Sequence, residues 1–145
     1  MTMLNKFFDI TIAKAKNINL DIPVAAIIVK DNEIISLEVN EKEKENQTTA
    51  HAEILAIQEA NEKLNSWRLD NCEMFVTLEP CPMCAWAILN SRIKTLYFGS
   101  YDLKYGAIES VLKLPKLANS KIKIFGGIYQ EECDKILKEY FNSIR

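Results

Sequence analysis

The segment MFVTLEPCPMCAWAILN, residues 74–90, carries the main indications of the fold. Its first residues, Met74–Leu78, are mostly apolar and predict a buried β-strand. Pro82 fits the first position of an α-helix, so Met83–Asn90 is predicted to be helical. A buried strand therefore leads into a Cys-x-x-Cys turn at the start of a helix.

One imidazole and two thiols form the chemically distinctive part of the sequence. The single histidine is His51, and Cys81 and Cys84 form the Cys-x-x-Cys pair. These are zinc ligand types, and three protein ligands leave the fourth tetrahedral position open to water, as in a catalytic site. The pattern predicts one Zn²⁺ per chain, held by His51, Cys81 and Cys84 with water as the fourth ligand.

A carboxylate follows the histidine in the triplet His51-Ala52-Glu53. Both halves of the predicted site fall at predicted helix N-termini, where the helix dipole and free N–H groups favour the thiolates that zinc binds. Zinc lowers the pKa of its bound water towards neutrality and so supplies a nucleophile. Glu53 is the predicted catalytic residue, because its carboxylate can pass a proton from that water to a ring nitrogen and then to a leaving amine.

Each half of this pattern taken alone supports other interpretations. The pair Cys81 and Cys84 is also typical of a redox dithiol, or of half a structural zinc site. A structural site needs a fourth ligand, but Cys72 falls at the start of a predicted strand and Cys133 in the predicted last helix. Both are interpreted as core residues. A redox protein and a structural or regulatory zinc module without catalysis stay open beside a zinc enzyme.

The bulk properties indicate an ordinary globular chain, expected to form a single domain over residues 1–145. The formal net charge is −2, which argues against indiscriminate nucleic-acid binding. The basic residues near the C-terminus are interpreted as a solvated face, and a local basic patch that holds a specific RNA stays an alternative; they are Lys113, Lys116, Lys121, Lys123 and Arg145. No apolar run approaches the roughly 20 residues that span a bilayer. No signal-peptide pattern is present, so a reducing, cytoplasmic location without a membrane partner is expected.

Hydrophobic spacing along the remaining chain predicts alternating helices and strands. The predicted helices span Leu4–Ala15, Ala52–Leu64, Ser110–Leu117 and Gln130–Ser143, and the further strands span Pro23–Val29, Ile34–Val39, Thr95–Gly99 and Lys121–Phe125. The charged run at residues 41–47 is expected to be an exposed loop. This alternation favours an α/β fold with a mixed sheet and helices packed on it.

Taken together, these motifs resemble the cytidine deaminase superfamily, and within it the bacterial tRNA adenosine deaminases. The resemblance covers nearly the whole chain and is carried by Ile22–Ala26, Thr49–Ile54, Val76–Ala85, Ser91–Ile93 and Tyr97–Gly99. It implies a three-layer α/β/α cytidine deaminase-like fold with a central mixed sheet, and a homodimer without an organic cofactor. It also implies hydrolysis of the wobble adenosine of a tRNA anticodon stem-loop to inosine.

The resemblance assigns roles to two further residues and leaves the substrate open. Asn40 matches a family asparagine that contacts the nucleoside, and Asn40 and Ala52 are the expected substrate-binding residues. Three positions depart from the family pattern, which has smaller residues where this chain has Ala25, Trp86 and Glu109. A zinc deaminase of a free base or nucleoside, such as guanine, cytosine or cytidine, stays an alternative. So does a catalytically silent zinc-binding subunit.

Replacing Cys81 or Cys84 with Ser is expected to release zinc and lower stability, because the metal joins two helix starts. Zinc per chain and thermal unfolding are the measurements. Serine variants that keep full zinc content would show that the ligand assignment is wrong.

Overall fold

The computed structural model describes residues 2–18 and 20–144 of the chain. Arg145, the last of the basic residues named above, lies outside the described residues. The helices are α1 (Met3–Ala15), α2 (Lys42–Glu45), α3 (Ala52–Leu64), α4 (Pro82–Asn90), α5 (Leu114–Leu117) and α6 (Gln130–Ser143). The strands are β1 (Ala25–Lys30), β2 (Glu33–Val39), β3 (Cys72–Leu78), β4 (Thr95–Ser100) and β5 (Lys123–Phe125).

The strands form one mixed sheet in the order β2-β1-β3-β4-β5. Strand β1 pairs antiparallel with both β2 and β3, whereas β3, β4 and β5 run parallel. The central strand β3 therefore has neighbours on both sides, and its carboxyl end leads into the Cys-x-x-Cys turn. The predicted mixed sheet is confirmed.

Side chains alternate between the two faces of the sheet, and each face has its own core. One core packs helices α3 and α4 against strand residues that include Ala26, Ile28, Met74, Val76, Leu96 and Phe98. The other packs helices α1 and α6 against the intervening residues, which include Ile27, Val29, Phe75 and Tyr97. Helices on both faces of a central sheet make the three layers that the sequence predicted. Cys72 and Cys133 are both buried in these cores, as expected.

The β1–β2 hairpin brings Asn40 back beside the start of β1. Its turn residues Asp31 and Asn32 both have positive φ, 52° and 62°, as a tight two-residue hairpin turn requires. The backbone N–H of Asn40 then donates to the Val24 carbonyl oxygen at 3.1 Å. The turn thus fixes the position of a residue that the sequence placed in the substrate site.

Two local predictions were wrong. The predicted helix over Ser110–Leu117 starts only at Leu114, because the Leu114 N–H donates to the Ala107 carbonyl oxygen at 3.0 Å and so does not make the helical bond to Ser110. The segment 41–47, predicted to be a loop, contains helix α2, whose backbone N–H groups donate hydrogen bonds to a distant aspartate. Strands β1 and β5 also begin two residues later than predicted, at Ala25 and Lys123.

No helix within the described ranges is long and apolar enough to cross a membrane.

Gly99 in β4 allows helix α6 to pack closely on the sheet. A Cβ atom there would lie 2.7 Å from the Thr77 carbonyl oxygen and would overlap Cys133 of α6. Gly99→Ala is expected to lower the free energy of unfolding by about 2 kcal/mol, measured by urea denaturation.

The control is the double variant with Cys133→Ala, compared with Cys133→Ala alone. Removing the sulfur should recover part of the loss caused by Gly99→Ala, since the clash with the Thr77 carbonyl remains. A Gly99→Ala variant as stable as the parent would contradict this packing.

Candidate metal centre and adjoining pocket

Two helices begin at the same point, at the carboxyl end of β3. His51 immediately precedes α3 and Cys81 immediately precedes α4, both in extended backbone conformation. Their carbonyl oxygens accept the first helical hydrogen bonds, from Leu55 at 3.0 Å and Ala85 at 2.8 Å. Cys84 lies in the first turn of α4, so all three predicted metal ligands sit at helix starts.

The ligand atoms of these residues are close enough for one metal ion. Nδ1 of His51 lies 3.7 Å from Sγ of Cys81 and 3.4 Å from Sγ of Cys84, and all ligand atoms lie within 4.8 Å of one another. A tetrahedral zinc ion with ordinary bond lengths separates a nitrogen and a sulfur ligand by about 3.6 Å. The donor set and its spacing therefore fit zinc.

The three groups also polarise one another. Hydrogen bonds from Cys84 and His51 outweigh burial and lower the pKa of Cys81 to about 4. The same interaction with Cys81, together with burial, raises the pKa of Cys84, and the hydrogen bond to Cys81 raises the pKa of His51. Cys81 is thus a thiolate at neutral pH, the form that binds a metal.

Glu53 lies in the first turn of α3, beside this centre, and is only 4% exposed. Burial is the main cause that raises its pKa to about 7. A carboxyl group with a pKa near neutrality can both accept and donate a proton under working conditions. Glu53 also lines the pocket that opens next to His51 and Cys81.

Asn40 and Ala52 are hydrogen-bonded to each other, but their side chains have different surroundings. Oδ1 of Asn40 accepts from the Ala52 N–H at 2.8 Å, and its amide nitrogen donates to the Ile22 carbonyl oxygen at 3.1 Å. Asn40 lines the pocket, whereas the side chain of Ala52 is buried in the core against the sheet. Their expected part in substrate binding stays a prediction, and Asn40 is the one whose side chain faces the cavity.

The pocket has a volume of about 550 Å³. His51, Cys81 and Glu53 line one side of it, whereas Cys84 is fully buried. The rest of its lining comes from the segment before β1, the residue after β2, the start of α2, the end of β3, the loop after β4 and the end of α6. Wall residues that the sequence did not single out for the site include Asp21, Lys42, Glu79, Tyr105, Tyr140 and Phe141.

Asp21 is a buried carboxylate that holds the α2 wall. Its oxygens accept from the N–H groups of Glu43 at 2.8 Å and Lys44 at 3.3 Å. It thereby caps a helix that lies far along the chain. Local spacing reveals no such partner, so this role of Asp21 could not be predicted from the sequence.

Glu79 is a second buried carboxylate, and it holds the loop after β4. Its oxygens accept from backbone N–H groups of Asp102, Ile108, Glu109 and Ser110 and from the Ser110 hydroxyl. Burial alone would raise its pKa, but the hydrogen bonds from Glu109, Ser110 and Asp102 keep the pKa of Glu79 below the usual value. The sequence marked Glu79 as part of a motif without showing what it contacts.

A second cleft, of about 560 Å³, lies at the amino ends of the parallel strands, away from the pocket. Two of the basic residues named from the sequence, Lys121 and Lys123, line it together with Trp86. Trp86 is 53% exposed and so is not a core residue. Ala25 is fully buried in β1, and Glu109 is exposed beside Tyr101.

Comparison with known proteins agrees with this geometry. The sequence profile of the MafB19-like deaminases matches residues 8–145. The tRNA-specific adenosine deaminase of Rickettsia bellii (strain RML369-C) is 41% identical over 138 residues, covering 92% of this chain and 93% of that protein.

Two solved structures from work on deaminases have folds similar to that of this chain. A structure from studies of A-to-I editing by tRNA:A34 deaminases at the wobble position of transfer RNA superposes with a TM-score of 0.88. It is 34% identical in sequence and covers 92% of this chain and 99% of that one. Guanine deaminase from Bacillus subtilis matches with a TM-score of 0.64 and 29% identity, over 74% of this chain and 81% of that one.

The layered sheet and the site at two helix starts thus define a deaminase with the cytidine deaminase-like fold. Sequence similarity then narrows the class. The chain belongs to the family of tRNA-specific adenosine deaminases.

Asp21→Ala is expected to lower the free energy of unfolding by about 1 kcal/mol, because two amides at the start of α2 lose their acceptor. Asp21→Asn should cost less, since asparagine retains an oxygen that can cap. Urea denaturation measures the cost, and amide exchange at Glu43 and Lys44 reports the cap itself. Equal stability of both variants and the parent, with unchanged exchange, would contradict the capping role.

Proposed function

We propose that this chain hydrolyses the wobble adenosine of a tRNA anticodon to inosine and ammonia. The observation that carries the proposal is the meeting of His51, Cys81 and Cys84 within 4.8 Å, beside a pocket that His51, Cys81 and Glu53 line. Relatives in the family are named tRNA-specific adenosine deaminases, and a solved structure with the same fold comes from studies of deaminases at the wobble position of transfer RNA. A three-ligand centre beside a buried carboxylate has no comparable use in a structural zinc module.

His51, Cys81 and Cys84 are the proposed ligands of one zinc ion per chain. Bound there, zinc would supply a Lewis acid that makes water a nucleophile at neutral pH. Cys81 contributes a thiolate, and His51 contributes Nδ1, the atom that lies 3.4 Å from Sγ of Cys84. Because His51 and Cys81 are half-buried and line the pocket, this side of the centre is open to a substrate.

Glu53 is the proposed proton carrier. Its carboxylate takes a proton from the attacking water and delivers it to N1 of the adenine ring. A second proton from the same water then reaches the departing 6-amino group, so that adenosine and water become inosine and ammonia. The buried position of Glu53 keeps its proton available at neutral pH, since burial disfavours the charged form.

Asn40 and Ala52 are the proposed substrate-binding residues, and the pocket takes one flipped base. A volume of about 550 Å³ suits a single nucleoside. Oδ1 and one N–H of Asn40 are already engaged, which holds its amide fixed at the pocket wall. A base in an anticodon loop leaves its stack at lower cost than a base in a duplex.

A homodimer and a single domain over residues 1–145 belong to the same proposal. The broad exposed ring of Trp86 on α4 supports a covered surface there, because exposed tryptophans are enriched at protein interfaces. The four cysteines all have free thiols, which supports a reducing, cytoplasmic location.

The test is an assay of the zinc-loaded protein on an anticodon stem-loop with a wobble adenosine, beside free adenosine, cytidine and guanine. Inosine in the stem-loop alone supports the proposal. Ammonia from a small molecule alone would favour a free-base or free-nucleoside deaminase, the candidate to which the likeness to guanine deaminase points. No ammonia from any substrate, with zinc at one per chain, would favour a silent zinc-binding subunit.

Glu53→Gln is expected to lower inosine formation by about a thousandfold at unchanged zinc content, because the amide cannot carry the proton. Zinc analysis and single-turnover rates are the measurements. Glu62→Gln, the same change at an exposed position of α3, is the matched control and should keep parental rates. Full activity of Glu53→Gln would rule out its catalytic role.

A further inference from the structure

We propose that Glu79 is a positioning residue, which holds the loop 102–110 as one wall of the pocket and so sets how tightly the RNA substrate binds. The inference rests on the proposed function, since it concerns binding at the same site. It assigns a role to a buried carboxylate that the proposed chemistry does not use.

The carboxylate group of Glu79 accepts hydrogen bonds from both ends of this loop. Oε1 accepts from the Asp102 N–H at 3.1 Å and from the Ser110 hydroxyl. Oε2 accepts from the N–H groups of Ile108 at 3.1 Å, Glu109 at 2.8 Å and Ser110 at 3.0 Å. Five donors therefore converge on a side chain that is only 1% exposed.

The loop is shaped to fit around this carboxylate. A Cβ atom on Gly106 would lie 2.5 Å from Cδ and Oε1 of Glu79, so the backbone passes too close for any side chain. The neighbouring Ala107 N–H donates to the Pro80 carbonyl oxygen at 2.9 Å, directly before Cys81. The loop is thus fixed to the segment that carries the metal ligands.

The positions of the loop residues that line the pocket depend on these hydrogen bonds to Glu79. Oδ1 of Asp102 accepts from the N–H groups of Lys104 at 3.0 Å and Tyr105 at 2.9 Å, which forms a turn within the loop. Asp102 and Tyr105 line the pocket, in whose wall Phe141 of α6 also lies. The Tyr105 side chain is 57% exposed, so it depends on its backbone for placement.

Glu79 acts on binding and leaves the chemical step alone. Both of its oxygens are saturated by loop donors, and the proton-carrying role belongs to Glu53. Glutamine at this position has one acceptor oxygen and turns its NH₂ group towards N–H donors, which repels one side of the loop. A loop that Glu79 no longer holds must be ordered again each time RNA binds. This weakens binding but does not lower the rate of the chemical step in the bound complex.

The experiment compares Glu79→Gln with the parent on an anticodon stem-loop carrying a wobble adenosine. It measures KM, the single-turnover rate at saturating RNA, and zinc per chain. The expected result is a KM raised by about tenfold, a single-turnover rate within about threefold of the parent, and unchanged zinc. Glu73→Gln is the matched control: it makes the same change in β3, at a carboxylate that accepts a hydrogen bond from the Tyr97 hydroxyl, and it should keep the parental KM.

Ser110→Ala keeps the test decisive if Glu79→Gln does not fold. It removes only the hydroxyl donor, and it should raise KM by a smaller factor and speed amide exchange at Ile108 and Glu109. A folded Glu79→Gln with parental KM overturns the proposal, as does a slowed single-turnover rate at parental KM. If Glu79→Gln cannot be folded, parental KM and amide exchange in Ser110→Ala overturn it. A parent that forms no inosine refutes the proposed function instead, while amide exchange in the loop still tests the positioning role.

Discussion

The structure depends on bringing one imidazole and two sulfur atoms to a single point. Residues distant in sequence can meet there only if two helices start side by side. The fold achieves this at the carboxyl end of β3, where α3 begins after His51 and α4 begins after Cys81. The central position of β3, with paired strands on both edges, holds that point rigid, and the small residues of α3 and α4 let both helices approach the sheet.

Around this centre, two parts of the pocket wall, the short helix α2 and the loop after β4, are held in place by long-range hydrogen bonds. Two buried carboxylates supply them by accepting backbone N–H groups: Asp21 holds α2, and Glu79 holds the loop after β4. Buried charges are costly unless fully hydrogen-bonded, and the bonds that satisfy them also order the loops. Structural carboxylates and the proposed catalytic Glu53 thus share one pocket but differ in what they contact: Asp21 and Glu79 contact backbone amides, whereas Glu53 lies beside the metal ligands.

Most strands and helices and the three metal-ligand residues could be predicted, because they depend on local sequence patterns. Alternating and helical spacing located most strands and helices, and the residue types of the His51 and Cys81 motifs predicted which side chains would meet. The presence of α2 was not predictable, since its amides are accepted by a carboxylate from a distant segment. The start of α5 was not predictable either, because the Leu114 N–H is bound by Ala107, in the loop that Glu79 holds. The same long-range dependence hid Asp21 and Glu79 from sequence reasoning. The environment of Trp86 could not be predicted for another reason. Its ring is exposed, and a hydrophobic pattern does not show which partner contacts a surface residue.

His51, Cys81 and Cys84 are proposed to hold one zinc ion with an open fourth position, and zinc K-edge X-ray absorption of the zinc-loaded protein measures the ligands of that ion. We expect two sulfur atoms at about 2.3 Å and two nitrogen or oxygen atoms at about 2.0–2.1 Å, from the imidazole and one water. A shell of four sulfur atoms, a shell without sulfur, or a protein that binds no zinc would contradict this ligand assignment.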